Sequence, residues 1–182
     1  MFLRNFWYVA AMPSELEDWI LGEPVLLYRT ASGVVAAMSD ICPHRSARLS
    51  AGERDGDTVR CLYHGLEFGA DGQCLRVPAQ QGTPPDGLRV ATYPVVEKWR
   101  LIWVWMGAPE DADEALIPDF HWNDDPDWYP VGDYMHLDCH YQLLADNLMD
   151  LSHEAYVHRG TIGTDAHAGM PVAALLSKAE RL

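Results

Sequence analysis

The chain has 182 residues, of which 48% are hydrophobic and 10% aromatic, and its formal net charge is −14. This apolar content supports a packed core and excludes general disorder, while the negative charge excludes nucleic-acid binding. The first residues, MFLRNFWYVAAMPSEL, have too many aromatic and polar interruptions to resemble a signal peptide, and no apolar run approaches the ~20 residues of a membrane span. We therefore expect a cytoplasmic protein without membrane contact.

Short apolar segments separated by turn signals occupy most of residues 24–107, which predicts a small all-β domain over residues 1–107. Ala31-Ser32-Gly33, Gly56-Asp57 and Asp71-Gly72 mark turns, and the last is a strong hairpin signal. The predicted strands are PVLLYRT, GVVAAMSD, TVRCLYHG, LEFGADGQCLRV, LRVATYPVVEKW and LIWVWMG.

A Pro- and Asp-rich stretch over residues 108–130 has the composition of a connecting segment on a surface. A second domain is predicted over residues 131–182. It begins with VGDYMHLDCHYQLL, which alternates like a strand. LLADNLMDLSHEAYVH follows as a helix, with Leu144, Leu148 and Leu151 spaced to share one buried face.

Two short loops of the β domain each carry one thiol and one imidazole, as Cys42-x-His44 and Cys61-x-x-His64. Zinc accepts two Cys and two His, but structural zinc sites usually pair Cys with Cys and His with His. A mixed pair in each loop suits a [2Fe-2S] cluster in which two Cys hold one iron and two His the other. Cys74 and Cys139 lie outside both loops and are expected to be buried thiols.

A second candidate site lies in the helical segment, where Asp150 precedes His153 and His158. Asp150 and His153 share a face of a helix, whereas two residues five apart point ~140° away from each other. The two imidazoles can meet on one metal only if a distortion or a helix end falls between them. On the residues alone, a solvated helix face is the commoner explanation.

CPHR at residues 42–45 and CLYHG at residues 61–65 resemble the ligand motifs of the Rieske family. The resemblance implies that Cys42, His44, Cys61 and His64 bind a [2Fe-2S] cluster. It also implies an α+β fold class, in which an all-β Rieske domain is followed by the start of a helix-grip-like catalytic domain.

The stretch from Asn147 to His158 is similar to the mononuclear iron motif of the Rieske oxygenases. By this resemblance His153 and His158 are ligands of an Fe(II) ion, Asp150 bridges the cluster of one subunit to the iron of the next, and Asn147 lies near the iron. RNFWYVAAMPSEL, LIWVWMGAP and Leu66 after YHG resemble the vanillate O-demethylase and dicamba monooxygenase branch.

The resemblance implies an oxygenase component that takes electrons from an NAD(P)H-dependent reductase, directly or through a ferredoxin. With O₂ it would demethylate a methoxylated aromatic acid, as a homotrimer.

The resemblance covers only the first half of such a protein. The third iron ligand is expected beyond Leu182, because neither Asp165 nor Glu180 matches its position. We therefore expect either a piece of a longer enzyme or a truncated product with exposed apolar surface. A Rieske ferredoxin that only carries electrons is the main alternative, and it explains residues 1–107 equally well.

Overall fold

The computed structural model describes residues 3–13, 18–20, 22–132 and 135–163, with only the backbone of residues 18–20. The chain divides into two compact units, Met1–Val131 and Gly132–Leu182. The α+β class with an all-β first domain is confirmed. The domain bounds at residues 107 and 130 stay a prediction.

The described part of the first unit is built from ten short strands in three antiparallel sheets, ordered β1-β10-β9, β2-β3-β4 and β5-β6-β7-β8. Their bounds are β1 Trp7–Ala11, β2 Asp18–Ile20, β3 Glu23–Arg29, β4 Val35–Ser39, β5 Glu53–Asp55, β6 Thr58–Arg60, β7 Glu67–Phe68, β8 Cys74–Arg76, β9 Val95–Lys98 and β10 Leu101–Trp105. Each segment predicted as strand from residue 24 onward contains at least one strand, although residues 61–65 and 88–94 lie outside these strands, and β1, β2 and β5 were not predicted.

The β3–β4 hairpin lies between two hydrophobic clusters, which explains why VLLY in β3 reads as a continuous apolar run. Side chains alternate along a strand. Leu26 and Tyr28 therefore enter the cluster that contains both loop cysteines, while Val25 and Leu27 enter the other. Burial of both faces makes this hairpin the centre of the unit.

The β5–β8 sheet carries the second Cys/His loop between β6 and β7. The Asp71-Gly72 turn joins β7 to β8 as predicted, with Gly72 at φ 77°. A Cβ at Gly72 would lie 2.2 Å from the Val90 carbonyl oxygen. This position therefore needs glycine for both its backbone conformation and its space.

A third hydrophobic cluster, formed by Trp7, Trp103, Trp105 and Ile117, lies against the connecting segment. That segment contains three 3₁₀ turns, Pro109–Asp111, Glu114–Leu116 and His121–Asn123. The Trp7 indole N–H donates to the Asp113 carbonyl oxygen at 2.8 Å, so the connecting segment is held against β1 within the first unit.

The second unit contains helix α1, Tyr141–Met149, a 3₁₀ turn, Leu151–His153, and helix α2, Glu154–Val157. The strand predicted over residues 131–144 is wrong where the structure describes it, because residues 135–140 form no strand and α1 begins at Tyr141. A strand needs a hydrogen-bonding neighbour. None of the described residues of this unit pairs with these.

The predicted burial of one α1 face is also wrong, since Leu144 is 38% and Leu148 64% exposed. No described element of this unit covers these side chains, so the expected exposed apolar surface is confirmed. Cys139, predicted to be buried, lies exposed before α1 for the same reason, whereas Cys74 is buried in the first unit as predicted.

Within the described residues, none of the helices has the length and apolar character required to cross a bilayer.

Candidate functional site

The first ligand loop, residues 42–47, follows strand β4. The Cys42 backbone N–H donates to the Ala47 carbonyl oxygen at 2.8 Å, and the Ser46 N–H donates to the Cys42 carbonyl oxygen at 2.9 Å. Ser46 has φ 54°, a left-handed conformation that is uncommon for a residue with a Cβ. This winding buries the Cys42 thiol and leaves His44 exposed at the tip.

The second ligand loop, residues 61–66, repeats the same backbone pattern. The Cys61 N–H donates to the Leu66 carbonyl oxygen at 2.8 Å, and the Gly65 N–H donates to the Cys61 carbonyl oxygen at 2.9 Å. Gly65 takes the left-handed position with φ 71°, and a Cβ there would lie 3.1 Å from Pro78 Cγ. Cys61 is buried and His64 exposed, as in the first loop.

The two loops bring like residues together. The rings of His44 and His64 lie edge to face with centroids 4.6 Å apart. Burial raises the pKa of the Cys42 thiol, and its hydrogen bond with the Cys61 side chain raises it further, whereas the backbone N–H groups of His44 and Arg45 lower it. The site thus has a thiol end inside the core and an imidazole end at the surface.

The imidazole end is bordered by exposed apolar side chains. The Tyr63 ring lies on the His64 ring with centroids 3.9 Å apart, and Tyr63 is 60% exposed. Leu62 and Ile41 are exposed nearby in sequence. Tyr63 therefore restricts the orientation of His64 from the solvent side.

Paired thiols and paired imidazoles fit a [2Fe-2S] cluster, because each iron then takes two protein ligands. In the part of the chain that the structure describes, no three His, Cys, Asp or Glu side chains converge on a point where one metal ion could bind. The pairing of thiol with thiol and of imidazole with imidazole is the arrangement that the two unlike irons of such a cluster need.

The second candidate site lies in the second unit and brings His153 and His158 together, with ring centroids 5.3 Å apart. His153 ends the 3₁₀ turn, α2 spans Glu154–Val157, and His158 is the residue after it. The predicted helix end between the two His is confirmed. On a straight α-helix His153 and His158 would point away from each other. The change from 3₁₀ to α-helix at His153 and the end of α2 at Val157 let the two rings meet instead.

Asp150 lies at the junction between α1 and the 3₁₀ turn. Its carboxylate accepts hydrogen bonds from the Ser152 hydroxyl and backbone N–H, and these bonds lower the pKa of Asp150 below its usual range. The Asp150 carbonyl oxygen accepts a hydrogen bond from His153 Nδ1. Asn147 is exposed on α1, three residues earlier.

A carbonyl oxygen only accepts hydrogen bonds, so the Asp150 contact fits the His153 tautomer with its proton on Nδ1. In that tautomer Nε2 has the lone pair that a metal ligand needs. The pair fits an Fe(II) ion that takes its remaining ligands elsewhere. The two other acidic candidates, Asp165 and Glu180, lie outside the described residues.

Two carboxylates at the bases of the ligand loops were not predicted. Asp40 comes two residues before Cys42 and is only 3% exposed, and Glu67 directly follows the second loop, opposite Arg60 in the β6–β7 ladder. Charged residues beside strand ends are usually solvated. Nothing in the sequence therefore indicated that these two carboxylates have partners beside the loops, Ser50 and Arg48 for Asp40 and Arg60 and Arg76 for Glu67.

Comparison with known protein families gives two matches. The model described as the Rieske [2Fe-2S] domain matches residues 6–94, and the one described as the vanillate O-demethylase oxygenase C-terminal domain matches residues 137–175. The first match includes both ligand loops, and the second includes Asn147, Asp150, His153 and His158.

Among curated relatives, the oxygenase component of dicamba O-demethylase from Stenotrophomonas maltophilia is 52% identical over 170 residues, covering 91% of this chain and 50% of the relative. The vanillate O-demethylase oxygenase subunit of Pseudomonas sp. (strain HR199 / DSM 7063) is 47% identical over 171 residues, covering 90% and 47%. The chain thus spans about half the length of the curated relatives it matches.

Solved structures give the same result. The crystal structure of dicamba monooxygenase bound to dicamba matches with a TM-score of 0.83 and 52% identity, covering 91% of this chain and 51% of that one. A structure of dicamba monooxygenase with non-haem iron and dicamba matches with a TM-score of 0.79 and 52% identity, covering 84% and 48%.

Proposed function

Because the chain belongs to the Rieske non-haem iron oxygenases, in the branch of the dicamba and vanillate O-demethylase oxygenase components, we propose that it acts in the terminal oxygenase component of a monooxygenase. Its reaction is the O-demethylation of a methoxylated aromatic acid with O₂. This substrate class follows the activities for which the two O-demethylase relatives are named.

One observation carries the proposal: the chain holds both ligand sets in the order that such an oxygenase needs. The paired Cys/His loops lie in the first unit, and the His153–His158 pair, with rings 5.3 Å apart, lies in the second. An electron carrier needs only the first set. The match to an oxygenase C-terminal domain over residues 137–175 supports the same choice.

We assign Cys42 and Cys61 to one iron of the [2Fe-2S] cluster and His44 and His64 to the other. His153 and His158 hold the mononuclear Fe(II). When bound, these groups supply single-electron storage and the activation of O₂.

The residues of the chain set the conditions for that chemistry. Burial keeps solvent from Cys42 and Cys61, each 1% exposed. The Asp150 carbonyl oxygen holds the Nδ1 proton of His153, so the imidazole presents Nε2 without rotating. The Ser152 hydroxyl and N–H keep the Asp150 carboxylate ionised, and a carboxylate in that state can accept a hydrogen bond from an imidazole N–H.

We further propose that the working assembly is a homotrimer, in which His64 of one chain reaches His153 of the next through Asp150. A head-to-tail ring of this kind closes on itself, so every chain donates and receives one such contact. An NAD(P)H-dependent reductase, acting directly or through a ferredoxin, supplies the electrons.

The test is Asp150→Ala in the assembled oxygenase, measured by iron and acid-labile sulfide analysis and by formaldehyde release from a methoxylated aromatic acid. We expect both metal centres to stay loaded while turnover is lost, because none of the six ligand side chains is removed. Asp146→Ala, an exposed carboxylate one turn earlier on α1, is the matched control and should remain active. Normal turnover in Asp150→Ala would refute the bridging role.

The electron-carrier alternative is tested separately by adding Fe(II) to the purified chain. An oxygenase should bind iron beyond the cluster, and His153→Ala and His158→Ala should lose only that additional iron. A carrier should show the cluster signal in electron paramagnetic resonance (EPR) and bind no additional iron at these residues.

A further inference from the structure

The two ligand loops have the same internal hydrogen bonds but are held at their bases in different ways. The second loop is closed by a regular ladder, in which Arg60 of β6 lies directly opposite Glu67 of β7. The Glu67 carboxylate accepts hydrogen bonds from Arg60 Nε at 2.9 Å and from Arg76 Nη1 at 3.0 Å. Arg60 and Glu67 are therefore joined both by the backbone pairing of β6 with β7 and by an ion pair.

The first loop has no such ladder. Its ends meet in a single isolated bridge between Ile41 and Arg48. Beside that bridge, the Asp40 carboxylate accepts hydrogen bonds from the Ser50 backbone N–H at 2.6 Å and from the Ser50 hydroxyl at 2.7 Å. The Leu49 N–H also donates to the Asp40 carbonyl oxygen, at 3.3 Å.

Asp40 is buried, so the hydrogen bonds to its carboxylate matter for the stability of this part of the chain. Its residue exposure is 3%, and the only cation within ion-pair distance among the described residues is Arg48, with 3.6 Å between Nη1 and Oδ2. A carboxylate this deeply buried depends on its hydrogen bonds, and its donors would be left unsatisfied without it. Asp40 thus joins the strand before the loop to the chain after it.

We propose that Asp40 is a positioning residue for the first ligand loop, holding Cys42 and His44 in place as the β6–β7 ladder and Glu67 hold Cys61 and His64. The inference rests on the proposed function for what the loop binds. The hydrogen bonds themselves do not depend on that ligand.

The test is backbone amide hydrogen exchange in Asp40→Asn, which keeps the shape of the side chain and removes its charge. Hydrogen bonds to a charged group contribute enough that losing one should speed local opening by about tenfold or more. We expect this acceleration at the Cys42 and Ser46 amides. The equivalent amides of Cys61 and Gly65 serve as an internal control and should stay within about twofold.

Two further variants make the comparison reciprocal. Glu67→Gln should accelerate exchange in the second loop and leave the first unchanged. Asp113→Asn should affect neither, because its exposed carboxylate accepts only the Ala115 N–H, at 2.9 Å, in the connecting segment.

Equal acceleration in both loops of Asp40→Asn, or none in the first, would overturn the proposal, since either result denies Asp40 a specific effect on its own loop. If Asp40→Asn does not fold, Ser50→Ala decides the question in the same way, because it removes only the hydroxyl bond. We expect it to accelerate the first loop alone.

Iron and sulfide content separate this inference from the proposed function. In Asp40→Asn we expect the cluster signal in EPR to broaden, while the iron and sulfide content and the far-ultraviolet circular dichroism stay unchanged. If the chain without any substitution binds no cluster, the proposed function is refuted. The exchange experiment would still decide the role of Asp40, because the hydrogen bonds of Asp40 do not depend on the cluster.

Discussion

Gly65 provides the sharpest test of the ligand loops, through the substitution Gly65→Ala. Its φ of 71° lies in the left-handed region, where a side chain costs about 1–2 kcal/mol. Replacing glycine also reduces the conformational freedom of the unfolded chain, which stabilises the folded state by about 0.4–1 kcal/mol. The net effect of the backbone on the free energy of unfolding is therefore a destabilisation of about 1 kcal/mol. The new Cβ would also lie 3.1 Å from Pro78 Cγ, so the Pro78 ring must shift by a few tenths of an ångström, and we take the low end of the overpacking range, about 1 kcal/mol, as its cost.

Gly33→Ala is the matched control. Gly33 has φ 85° in the turn between β3 and β4, and its Cβ would have nothing within 4 Å, so it has the backbone cost without the contact. Urea denaturation at constant slope should place Gly65→Ala below Gly33→Ala by about 1 kcal/mol. Iron content should fall in Gly65→Ala alone. Equal stability and equal iron in the two variants would refute the requirement for glycine in this loop.

Two other predictions concern titration and thiol access. Burial alone would raise the pKa of Glu67, but hydrogen bonds from Arg60 and Arg76 lower it below its ordinary value. The stabilisation by Glu67 is therefore present above that ordinary pKa and is lost as the pH falls through the lowered pKa. Glu67→Gln should therefore flatten the acid side of the stability curve measured by urea denaturation, and an unchanged curve would contradict this. A thiol reagent should modify the exposed Cys139 well before the buried Cys74, whose pKa burial raises; peptide mapping that shows equal rates would contradict the burial.

Much of the first unit could be predicted from sequence because its signals are local. Alternation and turn residues marked the strands from residue 24 onward, and Asp71-Gly72 marked a hairpin that the structure confirms. The four proposed cluster ligands were found in the same way, since each pair lies within four residues. The two loops share one hydrogen-bonding pattern, and the structure brings the rings of His44 and His64 together.

The features that were missed depend on contacts between distant residues. Trp99 and Arg100 form the β9–β10 turn with φ 59° and 55°, where no glycine or asparagine signalled a left-handed turn. The Trp99 carbonyl oxygen accepts a hydrogen bond from Asn123 Nδ2 at 2.9 Å, and Arg100 pairs with Asp124. Contacts with the connecting segment therefore hold a turn that local preference alone would not favour.

The second unit shows the opposite error, in which a local pattern predicted too much. The alternation after Val131 suggested a strand, and the Leu144 and Leu148 spacing suggested a buried helix face. Both depend on neighbours that the described residues of this unit do not provide.

If the two loops bind the proposed cluster, the burial of their thiols and the exposure of their imidazoles determine which reagents can reach it first. Alkylating agents and mercurials attack thiols, and Cys42 and Cys61 are each 1% exposed. Small chelators meet His44 and His64 first, because both rings lie at the surface. Loss of the proposed cluster should therefore begin with removal of metal from the imidazole side, and modification of Cys42 and Cys61 should follow only after the site has opened.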